Sequence, residues 1–376
     1  MITFTIALIV LILGYWLYGS YINRVFGPDD RQTPALTKAD GVDYIPLPNW
    51  KIFMIQFLNI AGLGPIFGAI MGAQFGTASY LWIVFGTIFA GAVHDFFSGA
   101  LSIRNGGESL PEIVGRYLGV RTKKVMTIFT MILMILVGAV FVSGPAELIA
   151  GMTPDWMDAY FWIAVIFIYY VLATLLPVDK IIGKVYPLFA FALLFMAVGV
   201  LVMLYVKSPD LPEMWNGFGT KYETNPIFPM MFISIACGAI SGFHATQSPL
   251  MARCMRSERH CRPIFYGAMV AEGFIGLVWC TVGMTFYPEA QALAASIKAG
   301  TASNVVFESC IALMGTVGGI LAILGVVILP ITSGDTAFRA CRLTIAEAIH
   351  AEQTRPMKRL YIAIPVFIIL PECLRE

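Results

Sequence analysis

The sequence predicts an all-α polytopic membrane protein, a helical bundle with broken helices arranged as a five-plus-five inverted repeat. Three observations lead to this prediction. The chain is 58% hydrophobic and only 12% charged, with a mean hydropathy of +0.79, whereas about a quarter of the residues in a soluble domain are charged. Apolar windows of membrane-spanning length recur along the chain. Two of them are interrupted near their middles, at residues 62–65 and 237–244.

The apolar windows have the length of about 20 residues that a helix needs to cross a bilayer. They lie at 2–22, 52–76, 78–101, 125–151, 157–176, 185–206, 227–252, 264–287 and 304–331. A tenth window begins near Leu360 but meets Pro371 after about eleven residues, which is too short for a full crossing. We therefore expect one transmembrane domain, 1–376, whose second repeat is truncated.

The distribution of Lys and Arg predicts the orientation of the spans, because positive charges are retained on the cytoplasmic side. Alternate loops hold most of the 24 basic residues, and the intervening loops hold only Lys207, Lys221 and Lys298. The N-terminus is then periplasmic, and the two interrupted spans enter the membrane from opposite sides. This pattern gives an extra first span at 2–22, a first repeat at 52–206 and an incomplete second repeat at 227–376. A net charge of +1 provides no basic field for nucleic acid.

The first interruption contains Gly62, Gly64 and Pro65. Proline lacks an amide donor and clashes with the carbonyl four residues earlier, here that of Ala61. The freed carbonyls could coordinate a cation, and the half-helix that starts at Pro65 could offer amides to an anion. We predict a substrate-binding segment at Gly62, Gly64, Pro65, Ile66 and Phe67. Helix packing alone accounts for the glycines that recur every fourth residue from Gly68 to Gly76.

The second interruption is richer in polar side chains. The predicted substrate-binding residues are Gly238, Ser241, Gly242, His244, Thr246 and Gln247. An ionisable residue inside a membrane span is usually functional, and a histidine can take up a proton near physiological pH. The alternative is a structural hydrogen bond of His244 inside the bundle.

Two further groups are candidates for ion coupling. His94 and Asp95 lie in the third span, where proton coupling competes with a structural ion pair to an arginine such as Arg104. Thr332 and Ser333 follow Pro330 and could bind sodium through oxygen ligands, unless they only cap a helix end. We expect gating or solvation for two carboxylates near outer helix ends, Glu147 and Glu308. A further carboxylate, Glu272, lies within a span and receives no role.

Three stretches of the sequence resemble a known family: 63–68 (LGPIFG), 94–96 with 106–109 (HDF and GGES), and 244–249 (HATQSP). They are similar to the carbon starvation protein A family of bacterial membrane transporters. The resemblance implies uptake of peptides, or of pyruvate by close relatives, during nutrient limitation. It also implies the inverted-repeat fold of amino acid, polyamine and organocation transporters. The general pattern of that fold places the binding region at 62–65 and 238–244, and a coupling cation at Ala61, Gly62, Thr332 and Ser333.

The sequence therefore favours a cation-coupled symporter of the bacterial inner membrane that imports a peptide or a small carboxylate such as pyruvate. The expected partners are the lipid bilayer and this small molecule, and the expected coupling ion is H⁺ or Na⁺, with no metal and no organic cofactor. A nutrient sensor that binds the same ligands without net transport is the alternative. An enzyme is disfavoured, because only His94 and Asp95 approach a catalytic arrangement. Substrate identity, coupling ion and oligomeric state stay open.

Overall fold

Helices occupy all nine predicted windows in the computed structural model, which describes residues 2–174, 182–207, 213–217, 226–239, 243–287, 290–351 and 355–373. The main helices are Ile2–Phe26, Asn49–Ile60, Gly64–Phe75, Ala78–Arg104, Leu110–Leu118, Val120–Ala150, Ala159–Thr174, Ile182–Lys207, Phe232–Ala239, His244–Ala252, Gly267–Phe286, Ala290–Ala348 and Pro356–Cys373. Short helical turns lie at Pro34–Thr37, Met214–Gly217, Ile227–Met231, Glu258–His260 and Arg262–Tyr266.

Length and composition support a multi-pass membrane protein. Five helices in the described part of the chain are long and apolar enough to cross a membrane, and a sixth span results when one bent pair is counted together. The remaining three windows coincide with shorter apolar helices at Ala159–Thr174, Ile227–Ala236 and Val305–Thr316. The membrane orientation stays a prediction.

The first interrupted span bends where the sequence predicts it. Its halves, Asn49–Ile60 and Gly64–Phe75, meet at an angle of 52°, and we call them together the first broken span. Ala61 leaves the helical region with ψ of +41°, and Pro65 occupies the first turn of the second half, where its missing amide hydrogen is not needed. The break therefore comes just before the proline.

The second interrupted span also consists of two helices. The first half ends at Ala239 and the second begins at His244 after a turn at Phe243; we call the pair the second broken span. Gly238 belongs to the first half. Two predicted site residues, Ser241 and Gly242, lie outside the described residues.

The two broken spans cross in direct contact, and small residues make the contact possible. A Cβ atom added to Gly68 would lie 2.8 Å from the backbone carbonyl oxygen of Ser234, so only glycine allows this approach. One turn later, Gly72 faces the side chain of Ile235 in the same way. The packing interpretation of this glycine stripe is confirmed for these two positions.

The long helix Ala290–Ala348 reverses its direction at Gly315. This glycine has a positive φ of +71°, which a right-handed helix does not contain. A Cβ atom on Gly319 would lie 2.9 Å from the Cα atom of Ile311, although residues eight positions apart in a straight helix are about 12 Å apart. The segment therefore forms a helical hairpin, and its second arm carries Thr332 and Ser333 into the bundle.

The alternative that Thr332 and Ser333 only cap a helix end is wrong, because the helix continues to Ala348. The hydroxyls fit inside it by bonding carbonyls of the preceding turn: Thr332 Oγ1 donates to Leu329 O at 2.7 Å, and Thr336 Oγ1 donates to Ser333 O at 2.9 Å. The last helix begins at Pro356, four residues before the predicted start, and includes Pro371.

The loops predicted to be cytoplasmic meet at one end of the bundle through ion pairs. Arg104 bonds Glu258 with Nε and Oε1 2.6 Å apart, and Arg253 pairs with Glu347 while donating to the carbonyl of Gly107 at 2.8 Å. Loops far apart in the chain are thus locked together at this end.

Asp43 lies at the centre of the ion pairs that close this end of the bundle. Its carboxylate lies 3.4 Å from the guanidinium groups of Arg339 and Arg342, and all three side chains are buried. Burial alone would raise the pKa of Asp43, but the guanidinium groups of Arg342 and Arg339 outweigh it and hold the pKa below its usual value. The carboxylate therefore stays charged at neutral pH and ties the second arm of the hairpin to the loop before the first broken span.

The close crossing of the broken spans predicts the effect of Gly68→Ala. The new Cβ would overlap the Ser234 carbonyl, and overpacking of this kind costs about 1–3 kcal/mol. We expect a lower thermal unfolding midpoint in detergent. The control is Gly325→Ala, where a Cβ meets no atom of the described residues within 4 Å; equal midpoints for the two variants would contradict the contact.

The buried ion cluster predicts the effect of Asp43→Asn. Removal of the carboxylate leaves the buried guanidinium group of Arg342 without the counter-ion that it contacts at 3.4 Å, at a cost of roughly 3 kcal/mol. We expect a lower unfolding midpoint at neutral pH. Because the pKa of Asp43 is lowered, its stabilisation is present above the usual carboxyl pKa of 3.8 and is lost only as the pH falls below it.

The matched control for this variant is Asp30→Asn, which removes the exposed ion pair with Arg259 and should leave the midpoint unchanged. An Asp43→Asn protein as stable as the wild type at neutral pH would show that Asp43 does not hold the closure.

Candidate functional site

The polar centre of the bundle lies where the two broken spans face each other. Gln56 and Asn59 share one face of the first half of the first broken span, since residues three apart in a helix are neighbours. His244, Gln247 and Ser248 share a face of the second broken span for the same reason. The amide of Gln56 donates to Ser248 Oγ at 3.0 Å, which brings the two faces together.

Two buried amides at this centre have unused hydrogen-bonding capacity. The side-chain oxygen and nitrogen of Asn59 and of Gln247 are fully buried and have no hydrogen-bond partner among the described residues. A buried amide without partners costs free energy comparable to a lost hydrogen bond. Buried polar side chains that lack partners within the protein are the ones expected to contact a ligand.

The predicted residues around the first break lie close to the hairpin arm. Ser333 Oγ donates to the carbonyl oxygen of Asn59 at 2.9 Å, and a Cβ on Gly62 would lie 3.2 Å from the same hydroxyl. The structure therefore brings Gly62 and Ser333 together, as predicted from the general fold. Ala61, Pro65 and Ile66 are buried beside the break, whereas Gly64 and Phe67 are partly buried.

His244 bridges two carboxylates that come from different helices. Its Nδ1 lies 3.2 Å from Asp95 Oδ2, and its Nε2 lies 3.3 Å from Glu272 Oε2. All three side chains are at most 1% exposed. These are ion-pair distances without hydrogen-bond alignment, and both oxygens of Glu272 are without a hydrogen-bond partner in the described part of the chain. We call His244, Asp95 and Glu272 the buried triad.

His94 extends the buried triad toward a more accessible region. Its Nδ1 lies 3.1 Å from Asp95 Oδ1, and its side chain is 33% exposed. The predicted alternative, a structural ion pair between Asp95 and Arg104, is wrong, because Arg104 binds Glu258 and contacts the carbonyls of the loop after the first helix. No Lys or Arg in the described residues lies within ion-pair distance of Asp95 or Glu272.

The remaining predicted residues have satisfied side chains or lie outside the centre. Thr246 Oγ1 donates to Phe243 O at 2.8 Å, as expected for a hydroxyl in the first turn of a helix. Glu147 and Glu308 are exposed, which agrees with their predicted contact with water. No cluster of metal-binding His, Cys, Asp and Glu side chains occurs among the residues that the structure describes.

Two cavities follow the second half of the second broken span toward the end of the bundle that is predicted to be cytoplasmic. A cavity of about 20 Å³ lies beside Thr246 and Pro249 and reaches Arg253. Arg253 also lines a wider vestibule of about 350 Å³, together with Asp43, Tyr44 and Glu347. The cavity of about 20 Å³ beside Thr246 holds no more than one water molecule. It therefore opens no passage from the polar centre to this vestibule.

Sequence reasoning missed Glu272, the second carboxylate of the buried triad. The signal was present: Glu272 is the only charged residue in the window 264–287, and charged residues at that depth usually mark a functional site. Its partner could not be read from the sequence, because His244 and Asp95 lie in other helices. Gln56 was missed for the same reason.

Comparison with known proteins gives the family. The sequence profile of the family described as "Carbon starvation protein CstA" matches residues 1–156 and 149–306. The chain is 46% identical over 352 residues to an "Uncharacterized membrane protein" of Haemophilus influenzae, covering 80% of this chain and 95% of that protein. It is 29% identical to the "Peptide transporter CstA" of Campylobacter jejuni, covering 75% of this chain and 50% of that protein.

The "Pyruvate/proton symporter BtsT" of Escherichia coli is also 29% identical, with 72% of this chain and 47% of that protein covered. The chain thus spans about half the length of these named transporters. A crystal structure of MhsT in complex with L-phenylalanine superposes with a TM-score of 0.63 at 13% identity, covering 86% of this chain and 79% of that chain. This likeness confirms the helical inverted-repeat transporter fold. The chain belongs to the carbon starvation protein CstA family.

Proposed function

We propose that this protein is a secondary active transporter of the bacterial inner membrane that imports a short peptide or a small carboxylate such as pyruvate, driven by a cation gradient. The observation that carries the proposal is the pair of helix breaks with the unpartnered buried amides of Asn59 and Gln247 between them. A membrane protein keeps such breaks and such amides at its centre where a ligand satisfies them.

The chemistry of the centre suits a ligand that carries a carboxylate. The second half of the second broken span begins at His244, so its first amide groups and its positive dipole end lie at the break. The amide groups of Asn59 and Gln247 can each donate one hydrogen bond and accept another. Pyruvate, with a carboxylate and a keto oxygen, can accept hydrogen bonds from these donors. A dipeptide, with an additional amide and an amino group, can also donate to the amide oxygens.

The closure at the cytoplasmic end supports alternating access. The Asp43 cluster and the Arg253–Glu347 pair hold the loops together on that side, and the 20 Å³ cavity below Thr246 is too small for either substrate. Release toward the cytoplasm requires these pairs to separate, which is the gating role of charged networks in a two-state transporter.

We expect substitutions of the two amides to weaken transport. Asn59→Leu and Gln247→Leu keep the approximate side-chain volume but remove the hydrogen bonds between that amide and the substrate. Each substitution should weaken substrate binding by about 1–2 kcal/mol. The concentration for half-maximal uptake should rise roughly fivefold to thirtyfold. The measurement is initial uptake of radiolabelled pyruvate, and in parallel of radiolabelled alanyl-alanine, into proteoliposomes.

The matched control is Gln74→Leu, the same chemical change in the first broken span but away from its break; it should leave the half-maximal concentration unchanged. Wild-type uptake by both amide variants would contradict the site. Saturable binding of pyruvate or alanyl-alanine to purified protein without accumulation in vesicles would indicate a nutrient sensor instead.

A further inference from the structure

The buried triad has a charge that the membrane interior does not tolerate. With both carboxylates ionised and His244 in its imidazolium form, the three groups carry a net charge of −1, and no Lys or Arg among the described residues compensates it. A charge buried in this way costs several kcal/mol unless it is paired or neutralised. A second proton neutralises the triad, because it leaves an imidazolium, one carboxylate and one carboxylic acid.

We propose that His244, Asp95 and Glu272 form the proton-carrying site that couples transport to the proton gradient. This inference rests on the proposed transport function and identifies its driving ion. In the occluded protein the triad holds two protons and is neutral. When the site opens to water on the low-proton side, hydration stabilises the charged form, and one proton passes from the triad to water. Only this proton is transferred, and no group is oxidised or reduced.

His94 provides a path for this proton. It contacts Asp95 at 3.1 Å and is the one partly exposed ionisable side chain in contact with the triad among the described residues. An imidazole can take a proton from water at one nitrogen and donate from the other. His94 can therefore pass a proton between water and the carboxylate of Asp95 without exposing Glu272.

The surrounding helices contribute few competing charges. The first broken span faces this region with the neutral amides of Gln56 and Asn59. On the hairpin arm, Asp335 accepts a hydrogen bond from Tyr186 Oη at 2.9 Å, while Arg339 and Arg342 bind Asp43 at the cytoplasmic end. On the Gly267–Phe286 helix, the hydroxyl of Thr281 bonds Tyr80 at 2.8 Å. The charge of the triad is thus set mainly by its own protons and by His94.

Electrostatics then link the proton to an anionic substrate. Gln247 lies one turn after His244, so a carboxylate bound there is close to the triad. Two negative charges about 8 Å apart repel enough, at an effective dielectric constant of about 20, to weaken binding by about thirtyfold. The anion therefore binds well only after the triad has taken up its second proton, which is the condition for symport.

The residues predicted for the alternative cation site, Ala61, Gly62, Thr332 and Ser333, include no ionisable side chain. The hydroxyls of Thr332 and Ser333 already donate to backbone carbonyls at 2.7 and 2.9 Å. In contrast, the carboxylate oxygens of Glu272 and both ring nitrogens of His244 have no hydrogen-bond partner in the described part of the chain. These unpartnered ionisable atoms favour a proton over sodium as the coupling ion.

The test is Glu272→Gln, which keeps the shape of the side chain but cannot release a proton. Two assays use radiolabelled pyruvate in proteoliposomes: counterflow, which exchanges substrate without a gradient, and accumulation under an imposed pH gradient. We expect counterflow within about twofold of the wild type and a loss of pH-driven accumulation of at least about tenfold, since exchange needs no proton release. Wild-type accumulation by this variant would overturn the inference.

Controls separate the possible failures. Glu308→Gln changes an exposed carboxylate outside the triad and should keep pH-driven accumulation. If Glu272→Gln does not fold, Asp95→Asn replaces it, with the same expected loss. Accumulation that follows a sodium gradient and is abolished by Ser333→Ala would overturn the inference while leaving the transport function intact.

A spectroscopic measurement tests the triad without any transport. Infrared difference spectra of the purified protein between high and low pH should contain the band of a protonated carboxyl group, and this band should decrease in Glu272→Gln but not in Glu308→Gln. An unchanged band in Glu272→Gln would overturn the proton site. A changed band in a protein that shows no counterflow with pyruvate or alanyl-alanine would support the proton site and contradict the proposed function.

Discussion

The cost of placing charge and unsatisfied backbone in a membrane interior constrains this molecule most strongly. A free carbonyl, an amide without partners or a carboxylate without a counter-ion each costs several kcal/mol there. The protein nevertheless keeps two helix breaks, the amides of Asn59 and Gln247 and the two carboxylates around His244 at its centre. Close packing elsewhere, such as Gly68 against Ser234, holds these costly groups in place.

The sequence predicted the spans and the positions of the breaks because both depend on local composition. Apolar windows determine where helices can cross the bilayer, and glycine and proline determine where they cannot continue. The bend at Ala61 therefore lies one residue before the predicted interruption. The reversal at Gly315 was not predicted, since glycines in an apolar window more often mark close packing than a turn.

The buried triad could not be predicted, because its contacts depend on how three helices pack. His94 and Asp95 suggested a site, but the neighbouring Arg104 was a reasonable partner on sequence distance alone. Glu258 binds Arg104 instead, and this pairing leaves Asp95 to His244. The same limit applies to Ser333, whose hydroxyl bonds the carbonyl of Asn59 across the bundle, although the sequence placed it at a helix end.

His244 takes part in both steps of the proposed mechanism, the movement of the half-helix and the release of the proton. It is the first residue of a half-helix that must move if the break is a hinge, and it is also the residue that joins the two carboxylates. A displacement of that half-helix would lengthen at least one of the 3.2 and 3.3 Å contacts. Because the affinity of a carboxylate for a proton depends on its neighbouring charge, opening the hinge changes proton affinity directly. Conformational change and proton release are then two consequences of the same movement, and no separate coupling pathway between distant sites is required.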